Sequence, residues 1–342
     1  MTKRSFLVAL ALAIGFAVVG FESGRFWAYL VYSVAIASIG ALSLNILIGY
    51  CGQITFAQGA LIGVGAYGAG IAGNAGWGAA SLLVGAVCSA LVSLLIGLPA
   101  LRLRGLYFAI STLAAQFILN YLFKILQPLT NGVSGLVVKP LMLFGRPAND
   151  EQYAVICVGL LFLSWLVLTR IIQTNVGRAF LVVRESELVA RGMGVDVARA
   201  KIQAFLLSGF FAGLCGGLIA FTSRLANPEA FEIGLSVDQT AMIIVGGLGS
   251  LGGSIIGAGF VTLLPEAIER LGELLPSADL ISAFREMAFG ILIILFLLLE
   301  PRGIVALARR IFARRGAAAR TNLPDRASYG SGAISAQNGR KA

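Results

Sequence analysis

Apolar runs of about 17 to 25 residues recur along most of the chain, each long enough to cross the hydrocarbon core of a bilayer as a helix. Hydrocarbon offers bare backbone no hydrogen-bond partner, so only helices or a closed barrel can occupy it. The runs lack the alternation of a barrel strand, which selects helices. The expected fold class is therefore all-α: a polytopic transmembrane helix bundle of about ten spans, some of them broken at glycines. With 58% hydrophobic and 12% charged residues, the chain is too apolar for a water-soluble globule.

Candidate spans fall at 5–21, 26–49, 59–73, 78–98, 106–126, 153–172, 202–222, 237–248, 253–270 and 284–299. The run at 5–21 follows Lys3 and Arg4 as a signal peptide would. Phe21-Glu22-Ser23-Gly24 offers no small-x-small cleavage site, so the run is expected to stay as the first span. With the amino terminus inside, the arginines of 99–105, the charged segment 173–201 and the basic stretch after Glu300 all fall on the cytoplasmic side. The stretches 127–152 and 271–283 then face outward. Loop 50–58, without a cation, also falls inside and is the exception to the pattern. The net charge of +10 thus reports topology; the aromatic interleaving of a nucleic-acid groove is missing. Residues 1–305 are expected to form the membrane domain, and 306–342, rich in Ala, Arg, Ser and Gly, a flexible basic cytoplasmic tail.

Little in the chain suggests bond-making chemistry. There is no histidine, the commonest general base and metal ligand. Cys51, Cys88, Cys157 and Cys215 lie singly in apolar surroundings, without the spacing of a metal site or disulfide framework, and read as packing residues. No GxxxxGK[ST] phosphate loop occurs, so the sequence points to no catalytic site, no metal and no cofactor on this chain.

Two stretches break the helical pattern, at 49–73 and 245–260. Each glycine costs a helix about 1 kcal/mol, so Gly49, Gly52, Gly246, Gly247, Gly249 and Gly252 are expected to serve turns, breaks or very close contacts. Discontinuous helices of this kind surround transport pathways. G-[AS]-[LI]-I-G-x-G occurs at 59–65 and again at 253–259, which hints at an internal repeat. Within those copies Gly63, Gly65, Gly257 and Gly259 read as close helix packing. Polar side chains at membrane depth usually face a cavity or a partner, which makes Asn45, Gln53, Gln58 and Gln116 candidates for a translocation path. Phe108, Phe117 and Tyr121 are expected in the core rather than in a substrate cage.

The segment 174–201 is the one long charged stretch between two apolar runs, with Arg178, Arg184, Glu185, Glu187, Arg191, Asp196, Arg199 and Lys201. It is long enough for one or two amphipathic helices. Both charge signs with Leu188, Val189, Met193 and Val195 suit a helix that seats in a groove of a soluble partner at the membrane surface. The same charges could instead pair along one solvated helix, at about 0.2 to 0.5 kcal/mol per pair.

Within that segment, the acidic residue, small residue and later glycine at Glu187, Ala190 and Gly194 resemble the cytoplasmic coupling loop of permease subunits in ATP-driven importers. Further motifs occur in order: LNILIGYCGQ at 44–53, LRLRGLYFAISTL at 101–113, TNGVSGL at 130–136, VGGLGSLGG at 245–253 and PRGI at 301–304. Together, over about residues 26–305, the set is similar to the LivM-type permeases of high-affinity branched-chain amino-acid importers. The resemblance implies a type II-like ABC importer permease in the bacterial cytoplasmic (inner) membrane. It would form half of the path with a second, related permease subunit as a heterodimer and receive substrate from a periplasmic or extracellular binding protein. Two cytoplasmic ATPases would dock on Arg184, Glu187, Ala190, Arg191 and Gly194, with all ATP chemistry on those partner chains. Leu106 and Gln116 stand where many relatives are acidic, and related importers carry urea or short amides, so these motifs leave the substrate open. An ion-coupled transporter would want intramembrane carboxylates or basic residues, and only Asp238, Lys124, Glu266 and Glu269 come near, at span ends.

Overall fold

The computed structural model describes residues 25–103, 105–143, 146–272 and Gly290. The run at 5–21, the run at 284–299 apart from Gly290, Arg104 and the tail 306–342 lie outside them. Among the described residues the chain is helical, with α1 (Arg25–Asn45), α2 (Gln58–Asn74), α3 (Ala80–Gly97), α4 (Leu106–Ile125), α5 (Gln127–Thr130), α6 (Asp150–Gln173), α7 (Asn175–Glu185), α8 (Glu187–Gly192), α9 (Val197–Ser223), α10 (Ile233–Gly246) and α11 (Leu251–Gly272). Two-residue strands β1 (Leu136–Val137) and β4 (Leu225–Ala226) pair antiparallel, as do β2 (Met142–Leu143) and β3 (Arg146–Pro147).

Eight of the apolar runs coincide with helices. Among the described residues five helices are long and apolar enough to cross a membrane: α1 with its extension, α3 with its extension, α4, α6 and α9. The runs at 237–248 and 253–270 become the shorter α10 and the helix starting at Leu251. Turn chemistry sets several boundaries. Asn149 and Gln152 close a capping box at the start of α6, Asp196 accepts from the Arg199 amide at the start of α9, and Gly247, at φ 115°, ends α10.

Among these five long helices, burial separates two inner ones from an outer set. The apolar windows of α1 and α9 are each 78% buried, against 39% for α3, 33% for α4 and 22% for α6. What lets α9 sit inside is glycine. Gly65 on α2, Gly85 on α3 and Gly213 on α9 meet at one level, and a Cβ on Gly213 would stand 2.6 Å from the Gly85 carbonyl oxygen. Helix backbones approach this closely only where no Cβ intervenes, and in lipid such contacts supply the packing that the hydrophobic effect cannot. Serines tie the same seam: Ser89 donates to the Leu61 carbonyl at 2.8 Å and Ser93 to that of Phe205 at 2.7 Å. Gly63 and Gly257 are likewise closed against neighbours, whereas Gly259 meets only Val34, at 3.7 Å.

The expectation for the aromatics needs correction. Phe108 is buried and stacks edge-on against Phe205, but Phe117 and Tyr121 are 57% and 64% exposed. They lie on the outer face of α4, a helix that packs through Phe108, Thr112, Gln116 and Asn120 on its other face.

Candidate functional site

The bundle has two distinct ends. At one, Asn74 donates to the Val137 carbonyl and the Val138 amide donates to that of Arg224, which gathers the ends of α2 and α9 with β1. At the other, both glycine-rich breaks and the charged segment come together.

Helix α1 widens into a π turn over Ile46–Tyr50, and the chain reverses at Gly52, φ 71°. Residues 51–57 then run without regular structure to α2. In the second break Gly247 and Gly249, both at positive φ, carry the chain from α10 to α11. A Cβ on Gly49 would lie 2.6 Å from the Gly249 amide nitrogen, so the two turns touch backbone to backbone. Asn45 joins them: its oxygen accepts from the Gly249 amide at 2.9 Å, and its nitrogen donates to the Ser250 carbonyl and to Ser254 Oγ. Gly246 is closed by the backbone of Gly253. Gly252 differs from expectation: it is exposed and a Cβ there would meet nothing within 4 Å, so no contact demands glycine.

The charged segment folds as α7 and α8, joined at Ser186, whose Oγ accepts from the Val189 amide and caps α8. Its last residues are already the first turn of α9, so the helical continuation into the membrane begins at Val197 rather than after 201. Two of its cations turn inward. Arg184 donates to the Gly49 carbonyl and lies against Gly52 and Gly249. Lys201, 2% exposed, donates to the Ala100 carbonyl at 2.8 Å and pairs with Glu187 Oε1 at 2.7 Å. Both acceptors sit where a membrane helix ends, Gly49 in the π turn closing α1 and Ala100 in the 3₁₀ turn after α3. Helix carboxyl ends carry unpaired carbonyls and partial negative charge, which a cation satisfies. Arg184 thus brings a cation across space to the start of loop 50–58, which has none of its own.

The outward face of the segment is different in character. Ala190 is buried, while Arg191 and Gly194 are exposed, the latter with φ 77° in the turn after α8. Leu188, Val189 and Met193 are 82%, 55% and 67% exposed. The segment is thus pinned from below and presents apolar side chains on top. Between α7–α8 and the first break lies a cavity of about 370 Å³ lined by Gly52, Gln53, Phe108, Arg184 and Glu187 among others.

The polar candidates divide. Asn45 and Gln58 are fully buried and bind helix to helix; Gln58 Nε2 donates to Ser43 Oγ at 3.1 Å, and its oxygen has no partner among the described residues. Gln53 Nε2 donates to the Cys51 carbonyl at 3.5 Å, and the residue borders the cavity below the charged segment. Gln116 accepts from the Ala60 amide at 2.7 Å and donates to the Phe231 carbonyl at 2.8 Å, yet lines a groove on the outer side of α4. The sequence places Lys201 only among the charges of the segment and does not mark Asn120. The clue to Lys201 is its place in the first turn of a buried helix; the clue to Asn120 is its four-residue spacing from Gln116 and Lys124.

Comparison with known proteins gives a consistent result. A family model described as branched-chain amino acid transport system, permease component, matches residues 26–298. The high-affinity branched-chain amino acid transport system permease LivM of Escherichia coli is 27% identical over 297 residues, which cover 78% of this chain and 67% of that one. A probable LivM permease of Methanocaldococcus jannaschii is 22% identical over 88% of this chain and 90% of its own. The autoinducer 2 import permease LsrC of Escherichia coli is 31% identical over 36% of this chain and 40% of its own. No solved structure matches.

Proposed function

We infer the role of this multi-pass membrane protein from its membership: the chain belongs to the family of permease components of branched-chain amino acid transport systems. It forms half of an alternating-access path for leucine, isoleucine and valine, the other half coming from a second permease subunit. A substrate-binding protein delivers the amino acid on the outer side of a bacterial inner membrane, and two cytoplasmic ATPases supply the energy.

The observation that carries this reading is the double-sided charged segment. Inward, Arg184 and Lys201 fasten it to the carboxyl ends of α1 and α3, and Arg184 reaches both glycine turns. Outward, it presents Leu188, Val189 and Met193 with Arg191 and Gly194. A push on α8 by an ATPase is transmitted as a rigid body to the two places where membrane helices are broken, the elements able to change course between states. Gln53, beside that junction, and Gln116, in the groove along α4, are the path residues this reading retains. Asn45 and Gln58 act as locks between helices.

The test is uptake by proteoliposomes containing this chain with its companion subunits. Branched-chain amino acid uptake that needs ATP on the ATPase side and ignores an ionophore supports the reading. Uptake abolished by the ionophore and indifferent to ATP refutes it.

A further inference from the structure

Helix α4 carries a polar stripe, Gln116, Asn120 and Lys124, at four-residue intervals, with Phe117 and Tyr121 beside it. These residues, with Glu232 and Ile233 at the start of α10, line a groove of about 430 Å³. That volume lies in the range of small-molecule sites, roughly 300 to 1,000 Å³. Its chemistry is unlike that of a lipid-facing surface. Lys124 Nζ pairs with Glu232 Oε1 at 3.1 Å, the two side chains 37% and 50% exposed. One turn below, Asn120 is 7% exposed; its amide nitrogen donates to the Pro228 carbonyl at 3.1 Å, which leaves its oxygen as an acceptor on the groove wall.

We propose that this groove is a substrate station for the zwitterionic head of an aliphatic amino acid, with Lys124 for the carboxylate, Glu232 and Asn120 Oδ1 for the ammonium, and Phe117, Tyr121 and Ile233 for the side chain. The assignment rests on the proposed function. An ion pair this exposed is weakly held, so a ligand carrying both charges can open it and replace one pairing by two. A ligand with one charge leaves the opposite partner unmatched, which gives the site its discrimination. The position suits the role: Lys124 is in the last turn of α4 at the end gathered by β1 and β4, and the stripe leads from there to Gln116 inside the bundle. The wall is apolar where a branched side chain would lie.

Ligand protection of a thiol tests this in the assembled transporter. Tyr121→Cys is modified with a charged methanethiosulfonate reagent, with the wild-type chain reporting background from the native cysteines. Leucine at twice its Kd should slow modification about threefold, while leucinamide and 4-methylpentanoate, each with one charge, should leave the rate unchanged. Lys124→Met in the same background should abolish protection by leucine. Equal protection by all three compounds, no protection by leucine, or a Tyr121→Cys thiol that never reacts because the second permease covers it would each overturn the proposal. ATP-driven uptake by the unsubstituted assembly is the reference that separates the two levels. Uptake there without protection of the Tyr121→Cys thiol removes only the groove assignment, whereas absence of ATP-driven uptake by the unsubstituted assembly removes the proposed function and the groove with it.

Discussion

Removing Glu187 alone from the Lys201–Glu187 pair should hurt the protein more than removing both partners. Lys201 is 2% exposed and Glu187 side chain 17% exposed, with 2.7 Å between their charged atoms. Glu187→Ala leaves an ammonium buried with the Ala100 carbonyl as its remaining hydrogen-bond acceptor, and stranding a buried charge costs about 3 to 5 kcal/mol. Lys201→Met leaves the carboxylate nearer to water and one helix-end carbonyl unpaired, a loss of about 1 to 3 kcal/mol. In the double variant no charge is stranded and a methionine fills the space, so adding Lys201→Met to Glu187→Ala should return about 2 kcal/mol. At about 2 to 4 °C per kcal/mol, the double variant should melt about 4 to 8 °C above Glu187→Ala. Thermal unfolding of the purified subunit assembly in one detergent, at one scan rate, reads the order directly. A double variant that melts at or below Glu187→Ala would show that the pair is not the buried unit described here.

Three further outcomes are expected. Leu188→Asp should change stability by no more than about 0.5 kcal/mol, because the side chain is 82% exposed, yet should abolish co-purification of the ATPases. Gly213→Val forces side-chain atoms into the Gly85 carbonyl and should cost about 3 kcal/mol or prevent folding, while Gly252→Ala should be neutral in the same melting assay. Arg184→Ala should leave the ATPases bound but cut uptake per ATP hydrolysed by about tenfold, because the contact to both glycine turns is lost; unchanged coupling would show that the contact carries no movement.

Periodicity and glycine content made much of the architecture legible. Apolar runs identified the helices because hydrocarbon imposes a length, and clustered glycines marked the breaks at 49–52 and 246–249 because each costs a helix about 1 kcal/mol. The copies of G-[AS]-[LI]-I-G-x-G open α2 and α11, each just after a glycine turn, so the sequence likeness has a structural counterpart. Which polar residue faces which neighbour was not legible. Asn45 and Gln58 bond across more than a dozen residues of sequence, to partners that only the packing of α1 against α2 and α11 brings near. For the same reason Phe117 and Tyr121 looked like core: a helix in a membrane protein can be as apolar outside as inside, and composition carries no direction. Lys201 hid among surface charges because its burial depends on where α9 enters the bundle.

The account stands on the segment 174–201 being a cytosolic fitting that ATPases cover. Met193→Cys, 67% exposed at that position, can be labelled with a membrane-impermeant maleimide in intact cells and in inside-out vesicles, with and without the ATPase subunits. The account predicts no labelling from outside, labelling in vesicles stripped of the ATPases, and protection when they are restored. Labelling in intact cells, or vesicle labelling that the ATPases leave unchanged, would contradict it.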